Sequence, residues 1–207
     1  MKVVAVVLDN GDPDLEQCLN SLANQTVETD IIVVAGPKTD WGIAREYGEV
    51  HGPIRGFLNA RLFGLNKAVK RGADVILSCD SDTIYHYEYA ESAAECLNAS
   101  LVVRAGTIIP KKDTALGRIE VAIFYKLLRM PYDHILAFRP EAVRALEKTA
   151  EFRYHREDVF TYLLLRAFPY TLCDNMIAYV DVPTFHFERL LRGDFGTVVD
   201  AVGSILS

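Results

Sequence analysis

Asp80 and Asp82 stand two apart directly after an apolar run, in the stretch VILSCDSD from Val75 to Asp82. Two carboxylates at a strand end suit a hard divalent cation such as Mg²⁺ or Mn²⁺, which takes oxygen ligands and keeps positions for phosphate. In an open parallel sheet, ligands collect at the carboxyl ends of strands, so both side chains would face a crevice. The plainer reading is a solvated loop in which Ser81 or Asp82 caps the next helix. Glu157-Asp158 opens a second candidate region. Acidic residues in a helix's first turn are stabilised by its dipole, and a positioned carboxylate there can also take a proton from a hydroxyl. His186, followed by Arg189 and Arg192, offers an imidazole and two guanidinium groups suited to metal and diphosphate contacts. A lone histidine between Phe185 and Phe187 is also an ordinary structural residue. Arg61, inside a helical pattern, either meets a phosphate or lies exposed.

These residues need a scaffold, and the chain supplies the signals of one. Lys2 to Leu8 is a β-branched apolar run ended by Asp9-Asn10-Gly11-Asp12-Pro13, so it reads as a buried strand and a turn. Asp12 and Pro13 look like an N-cap and a first helical residue, with Leu15, Cys18, Leu19 and Leu22 following at helical spacing. Strands are predicted at Ile31 to Ala35, near Val50, at Val75 to Cys79 and at Leu101 to Ala105. Helices are predicted at Trp41 to Tyr47, Gly56 to Arg71 (closed by Gly72) and about Tyr87 to Leu97. This alternation points to a doubly wound parallel sheet. The second half is less regular: a strand at Ile135 to Phe138, helices over Pro140 to Lys148 and Arg156 to Phe168, and a strand at Met176 to Val182. Phe195 to Leu206 places Val198, Val199, Val202, Ile205 and Leu206 on one face, fit to pack on the body, on a second copy or at a membrane interface.

Composition excludes some partners. The chain has 207 residues, 50% of them apolar, enough for one medium domain with a core. A net charge of −6 with no basic stripe argues against nucleic acid. Lys111-Lys112, the only lysine doublet, reads as a solvated turn. Val3 to Leu8 is too short for a signal peptide, and no run of roughly 18 apolar residues could span a bilayer. The expectation is a cytoplasmic protein in which Cys18, Cys79, Cys96 and Cys173 are reduced, mostly buried thiols, with a disulfide reserved for a hyperthermophile source.

Taken together, the segments match a pattern. Val4 to Leu22 (VAVVLDNGDPDLEQCLNSL), then Gln25-Thr26, Gly56 to Gly64 with Ala60-Arg61 in register, Val75 to Asp82, Glu157-Asp158 and His186 occur in order over about residues 3–190. In that order and spacing they resemble the family 2 inverting glycosyltransferases. The resemblance implies the α/β GT-A fold: a mainly parallel central sheet flanked by helices, in a single domain. Residues 1–84 would form a nucleotide-binding half and 85–190 an acceptor half, with 191–207 as a C-terminal segment. It implies Asp82 as ligand of Mn²⁺ or Mg²⁺, Asp80 on the ribose and supporting the metal, and His186 beside it. Leu8, Asp9, Asn10, Arg61, Asp80 and Ser81 would contact the nucleotide, Arg189 and Arg192 the phosphates. Asp158 would be the base that activates an acceptor hydroxyl. The implied reaction moves one sugar from a UDP- or GDP-sugar to a glycan or lipid-linked acceptor, with peripheral membrane contact as a possible setting.

Two departures matter. Where the family has an Asp-Asp-Gly-Ser type stretch with a base-reading Asp, this chain has Ala35-Gly36-Pro37-Lys38-Thr39-Asp40. It also lacks the Gln-x-x-Arg-Trp motif of processive synthases, which points to single transfer. Rival readings are a haloacid-dehalogenase-like phosphatase, with Asp80 as nucleophile, a sugar nucleotidyltransferase, and an inactive nucleotide- or partner-binding module. Two strand–helix units before Asp80, and the acidic Asp9 to Asp14 loop, count against the first two. Thr107 to Gly117 is expected as an acceptor loop.

Overall fold

The computed structural model describes residues 1–122, 133–149 and 170–180. β1 (Val3–Asp9) is buried at every position, the result expected of a β-branched run covered on both faces. It pairs in parallel with β2 (Thr29–Ala35) and β4 (Val75–Asp80), and β2 carries β3 (Glu49–His51) in parallel outside it. Helices α1 (Leu15–Ala23), α2 (Trp41–Tyr47) and α3 (Phe57–Lys70) connect these strands. The second half adds β5 (Thr83–Tyr85), α4 (Tyr89–Cys96), β6 (Val102–Pro110), α5 (Ala115–Glu120), a 3₁₀ turn (Asp133–Ile135), β7 (Leu136–Phe138), α6 (Pro140–Thr149) and β8 (Thr171–Val180). The sheet runs β3-β2-β1-β4-β7-β6-β8-β5. It is thus parallel through its nucleotide half and mixed beyond, with antiparallel pairs β4–β7, β7–β6 and β8–β5.

Chain length dictates the shape of this sheet. β4 and β5 are separated in sequence by Ser81 and Asp82 alone, yet β7, β6 and β8 lie between them in strand order. Four strand spacings in a flat sheet span about 19 Å. The Cα path from Asp80 to Thr83 reaches at most about 11 Å. The sheet therefore curls until β5 returns beside the end of β4, and the Asp80-Ser81-Asp82 turn closes the curl.

One face is sealed by α1, α2 and α4, burying Leu15, Cys18, Leu19, Ala44, Tyr89 and Ala93 with alternate strand residues. The other is sealed by α3 and α6 through Ala60, Leu65, Ala68, Ala142, Val143 and Leu146. α3 seats closely because residue 64 lacks a side chain: a Cβ there would lie 2.8 Å from Val34 Cγ2 and closer still to Val6 Cγ1. Both are stiff β-branched side chains. Gly64→Ala is therefore expected to destabilise by about 2 kcal/mol by overpacking, although alanine favours an exposed helix by about 1 kcal/mol. Urea unfolding checks this, and a stabilised variant would mean that α3 does not sit on the sheet as described.

Several expectations are corrected. α1 begins at Leu15, and Asp12 instead accepts a hydrogen bond from Asp14 N at 2.8 Å. The reason is Asp9, whose carboxylate accepts from Gly11 N (2.9 Å) and Asp12 N (3.0 Å) and prolongs the turn, with Gly11 at φ 87°. β6 continues to Pro110 through parallel pairing with β8, and Thr114 caps α5 by accepting from Gly117 N at 3.0 Å, so the expected acceptor loop shrinks to four residues, 111–114. Lys111 is no solvated turn residue: its side chain is 11% exposed and pairs with Asp14 at 2.6 Å. Nor are all four cysteines reduced, because Cys96 on α4 and Cys173 on β8 form a disulfide. α4 packs on β8, which brings the two together across 77 residues of sequence. Cys18 and Cys79 are free and buried. Burial pushes the Cys79 thiol up to about 12 and Cys18 well above its usual value, so neither is a ready nucleophile. Among the described residues no helix is long and apolar enough to cross a membrane. The expected helix at Arg156 to Phe168 and the C-terminal segment lie outside the described residues.

Candidate active site

The carboxyl ends of β1, β2 and β4 open on one cavity of about 720 Å³. Its floor is apolar, from Leu8, Val34 and Ala60. Its walls are the turn after β1 (Asp9 to Pro13), the turn after β2 (Gly36 to Lys38), the approach to α3 (Ile54 to Phe57) and Asp80-Ser81-Asp82. The first two turns are laced together: Thr39 Oγ1 donates to the Asp9 carbonyl at 2.9 Å and accepts from Gly36 N at 3.0 Å. The two turns also approach closely at Gly36, where a Cβ would meet the side-chain oxygen of Asn10. Ser81 N donates to the Leu8 carbonyl at 3.0 Å, which joins the third wall to the first.

Asp80 is the most constrained group in the site. Arg61, buried on α3, donates through Nη1 to the Cys79 carbonyl at 2.7 Å and pairs through Nη2 with Asp80 Oδ1. His134 Nδ1 lies 3.5 Å from Asp80 Oδ2. The Tyr85 hydroxyl accepts from Asp80 N at 3.1 Å and donates to the His134 carbonyl at 2.9 Å. Burial pushes the Tyr85 phenol well above its ordinary range, so it stays protonated. Asp80 is thereby fixed from three elements: α3, β5 and the 3₁₀ turn.

Asp82 accepts from Thr83 Oγ1 at 3.1 Å and lines the cavity. Burial raises the Asp12 pKa, and the nearby Asp82 and Asp14 carboxylates add to that rise. Among the described residues no group of three or more His, Cys, Asp or Glu side chains forms a metal cage. The donor set nevertheless suits Mg²⁺ or Mn²⁺, which is commonly held by one or two carboxylates plus substrate phosphate oxygens. Hard oxygen ligands are present, and a repulsive carboxylate pair is what a cation relieves.

Of the expected site residues, the structure gathers Leu8, Asp9, Asn10, Asp80, Ser81 and Asp82 around one cavity. Asp9 is 5% exposed and both its oxygens serve its own turn. Arg61 is neither exposed nor on the cavity wall, so it reaches no phosphate there. Helix α3 turns it inward, beneath Asp80. Asp158, His186, Arg189 and Arg192 lie outside the described residues. The sequence reading missed Asp12, Lys38, Arg55, Phe57 and His134. Lys38 and Arg55 sit in the two segments that replace or flank the expected base-reading stretch, and that departure was the available signal. The carboxylate of that stretch, Asp40, caps α2 by accepting from Gly42 N (2.9 Å) and Ile43 N (3.2 Å).

No protein-family model and no curated protein matches the chain in sequence. Solved structures match it in shape. The crystal structure of S. aureus TarS superposes with a TM-score of 0.66 at 17% identity, over 96% of this chain and 40% of that one. TarS 1-349 in complex with UDP gives 0.66 over 88% of this chain and 61% of that one, also at 17% identity. TarS 1-349 in complex with UDP-GlcNAc gives 0.58 at 17% identity, over 87% and 56%. TarS is a family 2 glycosyltransferase of the GT-A type. This chain has the GT-A fold. It spans less than two thirds of the length of these TarS chains. In this GT-A sheet the turn closing the curl is also the turn that carries both carboxylates.

Proposed function

We propose that the chain is a metal-dependent, inverting glycosyltransferase that moves one sugar from a nucleotide-diphosphate sugar to an acceptor hydroxyl. The observation that carries this reading is the placement of Asp80-Ser81-Asp82 at the carboxyl end of β4, on a cavity walled by the turns after β1 and β2. The TarS complexes with UDP and UDP-GlcNAc make a uridine nucleotide the first donor to test.

Asp82 would hold the cation, with Asp80 oriented by Arg61 and His134 toward the same end or toward the ribose. The cation, when bound, neutralises the departing nucleoside diphosphate, which is Lewis-acid assistance. Phe57, 37% exposed, and the apolar floor offer the flat surfaces that a base needs. Lys38 and Arg55 supply hydrogen-bond donors in place of the missing base-reading carboxylate. Asp158 would take the proton of the acceptor hydroxyl as it attacks the anomeric carbon, with inversion. The acceptor in this reading is a glycan or a lipid-linked molecule.

Calorimetric titration of UDP and GDP, each with and without Mn²⁺, tests the reading. Binding of one nucleotide that strengthens with Mn²⁺ is the expected result; no binding of either would return weight to a phosphatase or an inactive module. Asp82→Ala is expected to cost about 100-fold in UDP affinity with Mn²⁺ present and little without it. Equal affinity of the variant and the parent in Mn²⁺ would remove Asp82 from the cation site.

A further inference from the structure

The charges around the cavity are sorted by sheet order. Strands run β3-β2-β1-β4 across its floor. The lining carboxylates Asp9, Asp12, Asp80 and Asp82 belong to the β1 and β4 side, whereas Lys38 follows β2 and Arg55 lies between β3 and α3. These last two segments are joined, because Ile54 N donates to the Ala35 carbonyl at 3.1 Å. Lys38 is rooted against the turn after β1, where a Cβ on Gly11 would lie 2.6 Å from the Lys38 carbonyl oxygen. Both cationic side chains are exposed, and among the described residues no ion pair ties either to a carboxylate. Asp40, the carboxylate nearest to Lys38 in sequence, is occupied as the cap of α2. Phe57 completes this side: it is 37% exposed, with the Arg61 guanidinium carbon 5.0 Å from its ring centre.

An ammonium and a guanidinium donate hydrogen bonds and accept none. A base meets such a wall well through an oxygen, and badly through an amino group, which would face it donor to donor. Uracil and guanine carry a keto oxygen where cytosine and adenine carry an amino group. We infer that Lys38 and Arg55 determine the base specificity of the donor site, by binding the keto oxygen (O4 of uracil or O6 of guanine) and rejecting the amino bases. The inference rests on the nucleotide-sugar reading above and narrows its donor to a nucleoside diphosphate with an oxo base. A carboxylate reader would bind the ring N–H beside that oxygen; a wall of donors leaves that N–H unread.

The test is calorimetric titration of UDP, CDP, GDP and ADP in Mn²⁺, compared at equal ring size. UDP is expected to bind roughly tenfold more tightly than CDP, or GDP than ADP, the discrimination typical of one well-placed base contact. The pair that shows it tells which oxo base the site takes. Methylating the ring N–H of the preferred nucleotide should change its affinity less than threefold. In Lys38→Met with Arg55→Met the oxo-to-amino ratio should fall to within about twofold, while inorganic pyrophosphate affinity changes less than threefold. Equal loss of all four nucleotides and of pyrophosphate would make the two cations a general attraction for phosphate and overturn the proposal. A parent protein that binds oxo and amino bases within twofold of each other also overturns it and leaves the donor reading standing, as does a tenfold loss on methylation. Binding of none of the four removes the donor reading and this proposal together. The comparisons on the parent protein decide even if the double variant does not fold.

Discussion

Arg61→Met is expected to destabilise the protein by about 3 kcal/mol. The side chain is 1% exposed and its partner Asp80 19% exposed, so its removal leaves a partly buried carboxylate and the Cys79 carbonyl short of a donor. That is a large fraction of the roughly 5–15 kcal/mol that holds a domain together. Arg61→Lys should recover only part of the loss, because one ammonium cannot reproduce a fork that serves two acceptors. Adding Asp80→Asn to Arg61→Met should cost less than the two single losses summed, the signature of a shared interaction. Urea unfolding of the four proteins gives the cycle. A loss under about 1 kcal/mol for Arg61→Met would show that Asp80 is oriented by its other partners, and the placement of α3 beneath the site would lose its purpose.

Asp158→Asn is expected to lower kcat for sugar transfer by about a thousandfold while leaving UDP affinity within about twofold. The prediction stands on the resemblance, which gives Asp158 the role of base; the carboxylates on the described walls of the cavity have other partners. Among the described residues lining it, Asp9 spends both oxygens on its own turn, and Asp80 is paired with Arg61 and His134. Asp12 accepts from Asp14 N and Asp82 from Thr83 Oγ1, and both line the cavity. None of these is a free carboxylate for an acceptor hydroxyl. Steady-state kinetics with a competent acceptor, alongside UDP calorimetry, separates the two effects. Undiminished turnover would remove Asp158 from the chemistry; a parallel fall in UDP affinity would move it to the donor site.

What the sequence disclosed depended on whether the cause was local. The runs Val3 to Leu8 and Val75 to Cys79 announce buried strands because burial on both faces leaves no room for alternation, and Asp80 and Asp82 are visible as a strand-end pair for the same reason. Trp41 to Tyr47 was legible as a helix, and the structure adds its cap, Asp40. β5 was not, since Thr83 to Tyr85 is three residues with no period to read, and it exists through pairing with β8. The role of Arg61 was hidden although its position in the motif was clear: whether an arginine points to solvent or beneath a carboxylate depends on how α3 seats, and Gly64 decides that. Lys111 with Asp14, and Cys96 with Cys173, are meetings over 97 and 77 residues. No spacing rule reaches that far. His134 sits in a 3₁₀ turn whose place depends on β7 crossing antiparallel beside β4.

The curl has a mechanical meaning. Because Ser81 and Asp82 alone join β4 to β5, these two strand ends are moored by a tether of about 11 Å at full stretch, and they cannot swing apart as the jaws of a hinged clamp do. The gauge of the opening at the carboxylates is set when the chain folds. In the proposed reaction, selection among donors at that point would be the work of a die rather than a grip: a molecule would be admitted by its outline and charge, and one of the wrong calibre would find no slack to accommodate it.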